Sequence, residues 1–402
     1  FLYIGAVLRI CRVSLGLSYK MVVFCANLGA ALCAYYAFKS VSKSRRTVIL
    51  GVVLYTLMPY RFTNIFSRGD LGETLALTFW PLVIVGMYHI LLGDRKKWYF
   101  LVIGFSGILQ SHILSIMFVM AFCLISFLAF FGNMWKEKRY IEIAKAAGLT
   151  VLLNLWFLVP FLYYYFKEPL GTELLRWSGY FDQSINPSNL VQSISLYNKQ
   201  YFSLGLPLLG CIGIGVLHLV CDKKKMENRL DRYLFFLLIL GVILTWMTTG
   251  YFPSKDMRRN GLLDSVMTML QFPWRFLGPA CTCFLFAGLI WLSKSEILKP
   301  YKNLIFALFI GLNLLTVQTI PTDNIHMTYS SSAATASKGH GSKMAANIGI
   351  FYPHEWRLEG ITDDKLVTSV LVSDLNHVSV INYSKTGTRA KAVYSTDMEG
   401  NY

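Results

Sequence analysis

The sequence predicts an all-α polytopic membrane protein of about ten transmembrane helices, followed by a small, incomplete β-rich domain outside the membrane. Three observations predict it. Hydrophobic residues make up 54% of the chain and charged residues only 15%, where a soluble domain carries about 25% charged residues. Apolar stretches near the length of a bilayer crossing recur from residue 19 to residue 320. The loops between them alternate in charge, as they do in proteins that obey the positive-inside rule.

Taken in order, residues 1–18 carry Arg9 and Arg12 in an apolar setting and are too short to span. They read as a helix lying on the outer interface. The expected spans are 19–38, 47–60, 73–92, 98–110, 113–132, 141–165, 202–220, 233–250, 276–293 and 303–320. Residues 98–132 are too long for one helix and short for two; loop parity requires two, with Gln110, Ser111 and His112 in the turn. One set of loops is short and basic: 39–46, 94–97, 136–139, 222–232 and 294–302. The other set is longer and aromatic: 61–72, 167–201 and 251–275. Alternating the ten spans puts every basic loop on one side, the cytoplasmic one. The net charge of +16 therefore points to membrane topology and not to a nucleic-acid partner.

Beyond the spans, residues 321–348 are rich in Ser, Ala and Gly and read as a flexible linker. Residues 349–402 contain β-branched runs at 365–372, 377–383 and 390–394, expected as strands. The eight cysteines lie in or beside apolar segments, with neither zinc nor redox spacing, and read as small buried hydrophobes. The chain starts at Phe1 in apolar sequence without an initiator Met, which reads as a fragment lacking its natural start.

Chemistry concentrates in two charged knots at the mouths of spans. The first is PYRFTNIFSRGDLGE, residues 59–73; the second is QFPWRFL, residues 271–277. A charge costs roughly 2.5–3.5 kcal/mol at mid-bilayer and less near the interface, so such residues usually hold something charged. Arg61 and Arg68 suit a phosphate through their planar forks. Asp70 and Glu73 open the next helix, where they orient an arginine or take a proton. Helix capping and interfacial snorkelling are the simpler reading of the same residues. Arg275 opens a span at the end opposite the usual basic side. His112 is a candidate for catalysis or ligand contact. Tyr60, Trp177, Tyr180, Gln271 and Trp274 are candidate substrate contacts, since aromatic faces stack on sugar rings. No metal-ligand motif occurs, and no cofactor is expected.

PYRFTNIFSRGDLGETLALTFWPL, then SHILS, then QFPWRFL together resemble the bacterial multi-pass proteins labelled 6-pyruvoyl-tetrahydropterin-synthase-related. The label implies no pterin chemistry. Those proteins are similar to GT-C class membrane glycosyltransferases. The resemblance covers about residues 1–360. It implies an enzyme of the bacterial cytoplasmic membrane, working at the outer face on a polyprenyl-phosphate sugar donor and an unidentified acceptor. Beside it, the residues themselves offer Arg61, Arg68 and Arg275 as donor-phosphate ligands, and Glu73, Asp70 and His112 as catalytic candidates. The resemblance also implies a key acid in a first external loop, ahead of Phe1. A transporter or lipid flippase, and a non-catalytic anchor for cell-surface assembly, are the competing readings. A transporter would show ionisable groups deep in its spans and broken helices.

Overall fold

The computed structural model describes residues 2–167, 184–191, 202–221, 228–253, 270, 272–328, 378–386 and 389–396. The chain divides into two compact units, residues 1–158 with 178–324, and residues 159–177 with 325–402.

The first unit is helical. After α1 (Leu2–Ile10) comes α2 (Leu15–Val41), started by Ser14, whose hydroxyl accepts from the Leu17 N–H. Next is α3 (Arg45–Thr56), started the same way by Ser44. It stops because Pro59 forces Met58 into an extended conformation. A short helix α4 (Pro59–Phe62) and a π-helical turn (Thr63–Arg68) follow. Helices α5 (Leu71–Leu77) and α6 (Trp80–Leu91) form one broken span. Then come α7 (Tyr99–Leu109), α8 (Ile113–Ala129), α9 (Phe131–Lys136) and α10 (Tyr140–Lys167), the last reaching into the second unit. A short α11 (Pro187–Val191) precedes α12 (Leu206–Cys221), α13 (Arg229–Met247), α14 (Leu277–Lys294) and α15 (Lys302–Thr328), whose last turn also belongs to the second unit.

Among the described residues, seven helical segments are long and apolar enough to cross a membrane, against the ten expected. The other three expected spans fold as shorter helices. Helix α8 has 17 residues, α12 has 16 and α7 has 11. At 1.5 Å per residue α7 is only about 16 Å long, half a hydrocarbon core of about 30 Å. It nonetheless runs antiparallel to the α5–α6 span over most of that span's length. Gly86 approaches the backbone of Leu101, Gly104 that of Val83, and Gly107 the ring of Phe79, while Gly72 lies against His112. The short helix is extended at one end by the turn at 95–97 and at the other by residues 110–112.

Helix α14 is the axis of this unit: every residue from Leu277 to Leu292 is buried. It is packed by α12, α13, α3 and α6. The approach to α12 is so close that a methyl group on Gly288 would fall 2.4 Å from Cys211 Cβ. Small residues at such seams are how helices associate where lipid offers no hydrophobic drive. Phe38 of α2 stacks on Phe286 at 4.2 Å. The outer helices are inverted relative to a water-soluble protein, because Phe24, Leu32, Leu152, Trp156, Val242 and Leu304 are exposed. In water each would forfeit about 1.5–3 kcal/mol; against lipid there is no such loss. Cys211, Cys281 and Cys283 are buried as expected, whereas Cys11 and Cys221 are exposed.

The basic loops are tied to one another at one end of the helices. Glu137 is bound by Arg139 at 2.7 Å, Arg229 at 2.8 Å and Arg95 at 3.7 Å. Arg139 also donates to the carbonyls of His89, Ile90 and Gly93, acceptors at the C-terminal end of α6 that the helix itself leaves without donors. Arg46 donates to Asn303 at 2.6 Å, Lys294 pairs with Asp231 at 2.6 Å, and Ser40 bonds His89 at 3.1 Å.

In the second unit, β1 (Val378–Thr386) and β2 (Arg389–Thr396) pair as an antiparallel hairpin, with an irregularity between Val380 and Asn382. The linker expected at 321–348 starts later than the sequence suggests, because α15 continues as helix through residues 321–328; its remainder and the expected strand at 365–372 lie outside the described residues.

Candidate functional site

The opposite end of the α3–α6 hairpin, away from the basic loops, gathers the two charged knots. The π-helical turn ends at Gly69, whose φ of +64° is a left-handed conformation that favours glycine. That reversal delivers Asp70 to the start of α5, where its side chain accepts the Glu73 N–H at 2.9 Å, as an N-cap should. Glu73 is thereby placed one turn into the helix.

Glu73 is the centre of the cluster. One carboxylate oxygen accepts the Tyr60 hydroxyl. The other takes Arg68 at 2.8 Å, with Arg275 Nε at 3.6 Å. Arg68 spreads its fork, reaching Asp70 at 3.0 Å with its second terminal nitrogen and bonding Asn64 as well. The two side chains nearest solvent are Arg68 and Asp70, 16% and 21% exposed; Arg275 and Glu73 lie beneath at 7% and 5%. Two guanidinium groups face two carboxylates, so the formal charges cancel.

His112 closes the cluster from the α7–α8 turn. Its ring lies against Gly72, and Nδ1 bonds Ser115 Oγ at 2.8 Å. Nε2 makes no hydrogen bond among the described residues. Burial pushes the imidazole below its ordinary value of 6.5, while Glu73 and then Asp70 pull it back up. A small cavity lies below, lined by Glu73, Ser115, Arg275, Leu77, Trp80, Phe118 and Pro279, with room for about one water molecule.

Aromatic rings wall one side. Trp274 lies between Phe202 at 4.6 Å and Phe272 at 4.4 Å, with interplanar angles of 13° and 9°. Two phenyl rings cannot overlap one indole face side by side at those distances, so they take opposite faces. Neither face of Trp274 is then open to a sugar ring. Arg68 lies 5.8 Å from the indole centroid.

Of the expected site residues, Arg68, Asp70, Glu73, His112, Arg275, Tyr60 and Trp274 come together. Arg61 does not join them. It is wholly buried, donates to Asn27 at 3.1 Å and lies 5.5 Å from the Tyr55 ring centroid. One step along a helix turns the side chain by about 100°, so when Tyr60 faces Glu73 its neighbour faces α2. Trp177, Tyr180 and Gln271 lie outside the described residues. Ser115, Asn64 and Phe202 are added by the structure. Asn64 had a signal in its spacing of four from Arg68; Phe202 had none. Among the described residues, no group of three or more His, Cys, Asp or Glu side chains is placed to hold a metal ion.

The sequence model of a family described as "6-pyruvoyl-tetrahydropterin synthase related domain; membrane protein" matches residues 2–325. The chain belongs to the 6-pyruvoyl-tetrahydropterin-synthase-related family. That match includes both charged knots, the His112 turn and all seven span-length helices. This family member is thus a multi-pass membrane protein. No curated protein and no solved structure matches it.

Proposed function

We propose that this family member is a GT-C-like membrane glycosyltransferase that takes a sugar from a polyprenyl-phosphate donor at the outer face of a bacterial cytoplasmic membrane. The observation that carries the proposal is the meeting of Arg68 and Arg275 on one oxygen of Glu73. Two guanidinium groups from distant segments share a single anchor at the end remote from the basic loops, which the positive-inside rule puts outside. On this reading α2 to α15 form the membrane domain, α1 lies on the outer interface, and the chain after Thr328 leads to an external β-rich domain at 349–402.

The roles follow from which atoms are committed. Both Glu73 oxygens are bonded, so Glu73 positions the arginines. Asp70 is bonded too, but it is the most exposed member and the one an incoming phosphate displaces from Arg68. His112 keeps Nε2 uncommitted, and burial favours its neutral form, so it serves as the general base. It takes the proton of an acceptor hydroxyl. The acceptor oxygen bonds the anomeric carbon as the bond from that carbon to the phosphate oxygen breaks. Arg68 and Arg275 stabilise the departing phosphate, and Asp70 and Glu73 stabilise the imidazolium.

The test is transfer from polyprenyl-phosphate sugars by the membrane-embedded protein. Arg68→Ala and Arg275→Ala each lower turnover by about a hundredfold or more, and the Lys variants recover part of it. Unchanged turnover in both Ala variants defeats the reading. Two observations favour lipid translocation as a second reading: the broken spans at residues 57–63 and 78–79, and the buried Arg61. Phosphate-lipid flipping in sealed vesicles without sugar transfer would select it.

A further inference from the structure

Among the described residues, the indole N–H of Trp274 has no hydrogen-bond partner, and that nitrogen is shut off from solvent. Leaving a buried donor unmade is costly, and such donors in folded proteins call for an explanation. The ring is not free to turn away from this position, because Phe202 and Phe272 clamp both faces. Charged donors lie close to the ring as well. Arg68 stands 5.8 Å from the ring centroid, and Arg275 follows Trp274 directly in the turn that opens α14. A fixed, unpartnered indole N–H in the same cluster as two guanidinium groups is a surplus of donors, for which an oxyanion would be the natural acceptor.

Resting on the phosphate-clamp reading above, we propose that the indole N–H of Trp274 is a third donor to the phosphate of a lipid-linked ligand, alongside Arg68 and Arg275. Trp274 then recognises the anion by its edge and contributes nothing by stacking. The aromatic clamp fixes the direction of the N–H before the ligand arrives, which lowers the ordering cost of binding. The phosphate replaces Asp70 on the outer nitrogen of Arg68, leaving Glu73 between the two arginines. The ligand class is a polyprenyl phosphate or polyprenyl-phosphate sugar; inorganic phosphate shares the recognised group but lacks the chain.

The experiment titrates the full chain in lipid nanodiscs, carrying ¹⁵N-labelled tryptophan, with farnesyl phosphate, inorganic phosphate and farnesol. One indole N–H resonance, assigned by its loss in Trp274→Phe, is expected to move downfield with farnesyl phosphate and, at higher concentration, with inorganic phosphate. Trp274→Phe keeps a ring between Phe202 and Phe272. It should lower farnesyl phosphate affinity about tenfold, as expected for a hydrogen bond to a charged group, with the melting temperature unchanged. Loss of binding in Arg68→Ala and Arg275→Ala with full affinity in Trp274→Phe overturns this proposal and leaves the clamp standing. Full affinity in all three variants removes the clamp and this proposal together. A resonance that moves equally with farnesol also overturns it. Should Trp274→Phe fail to fold, the unmodified protein still decides: no indole resonance moving with either phosphate defeats the proposal.

Discussion

Glu73 concentrates the energetics of the site in one side chain. Replacing it with Ala leaves Arg68 and Arg275 facing each other with no anion between them. Breaking a buried ion pair costs about 3–5 kcal/mol, so Glu73→Ala should lower thermal stability in detergent well beyond Asp70→Ala, since Asp70 is itself nearer solvent than Glu73. Equal effects would mean that Glu73 is not the anchor. His112 gives a pH dependence of defined sign. Its folded-state value is depressed, so its contribution to stability is present above the ordinary value of 6.5 and is lost as pH falls below it. Melting temperature should decline on acidification below about pH 6.5 more steeply in the native protein than in His112→Gln. At this scale the sequence exposed the residue types and hid their directions. Tyr60 and Arg61 are adjacent and both look like site residues, yet only Tyr60 turns to Glu73, because helical phase after the Pro59 break is a property of the packed chain.

Between these residues, the elements do the aiming. The break before Pro59, the wide π-helical turn and the reversal at Gly69 carry the chain from α3 into α5 with Arg68 and Asp70 side by side. Gly69 has open space around it, so the alanine of Gly69→Ala meets no neighbouring side chain, but its Cβ crowds its own carbonyl oxygen in the left-handed conformation. A cost of about 1 kcal/mol is expected, read as a small fall in melting temperature with weakened phosphate-lipid binding. Gly288 is the opposite case: Gly288→Leu collides with the Cys211 backbone and should prevent stable folding, seen as aggregation on extraction. The start of α5 at Asp70 and the turn at 110–112 were legible, the first from an N-cap residue ahead of an apolar run, the second from loop parity. Helix lengths were less so. Hydropathy cannot separate a full span from the shorter α7 and α12.

For the molecule as a whole, membrane character was legible in composition, and the grouping of basic loops in their spacing. Loop contacts such as Arg46 with Asn303 and Arg229 with Glu137 were not, because their partners are far apart in sequence. Sidedness can be tested directly. A cysteine at Lys43 should react with an impermeant maleimide only from the cytoplasm, and one at Ser67 only from outside, in a background with Cys11 and Cys221 removed. Labelling of both from one side would overturn the topology.

The threefold grip on Glu137 has a mechanical consequence. With Arg95, Arg139 and Arg229 riveted to one carboxylate, and Arg139 stapled to the last carbonyls of α6, the helices are pinned at that rim like the spring of a clothes-peg. Any splaying wide enough to admit a fatty tail must then widen toward the free jaws, where Arg68 and Trp274 wait.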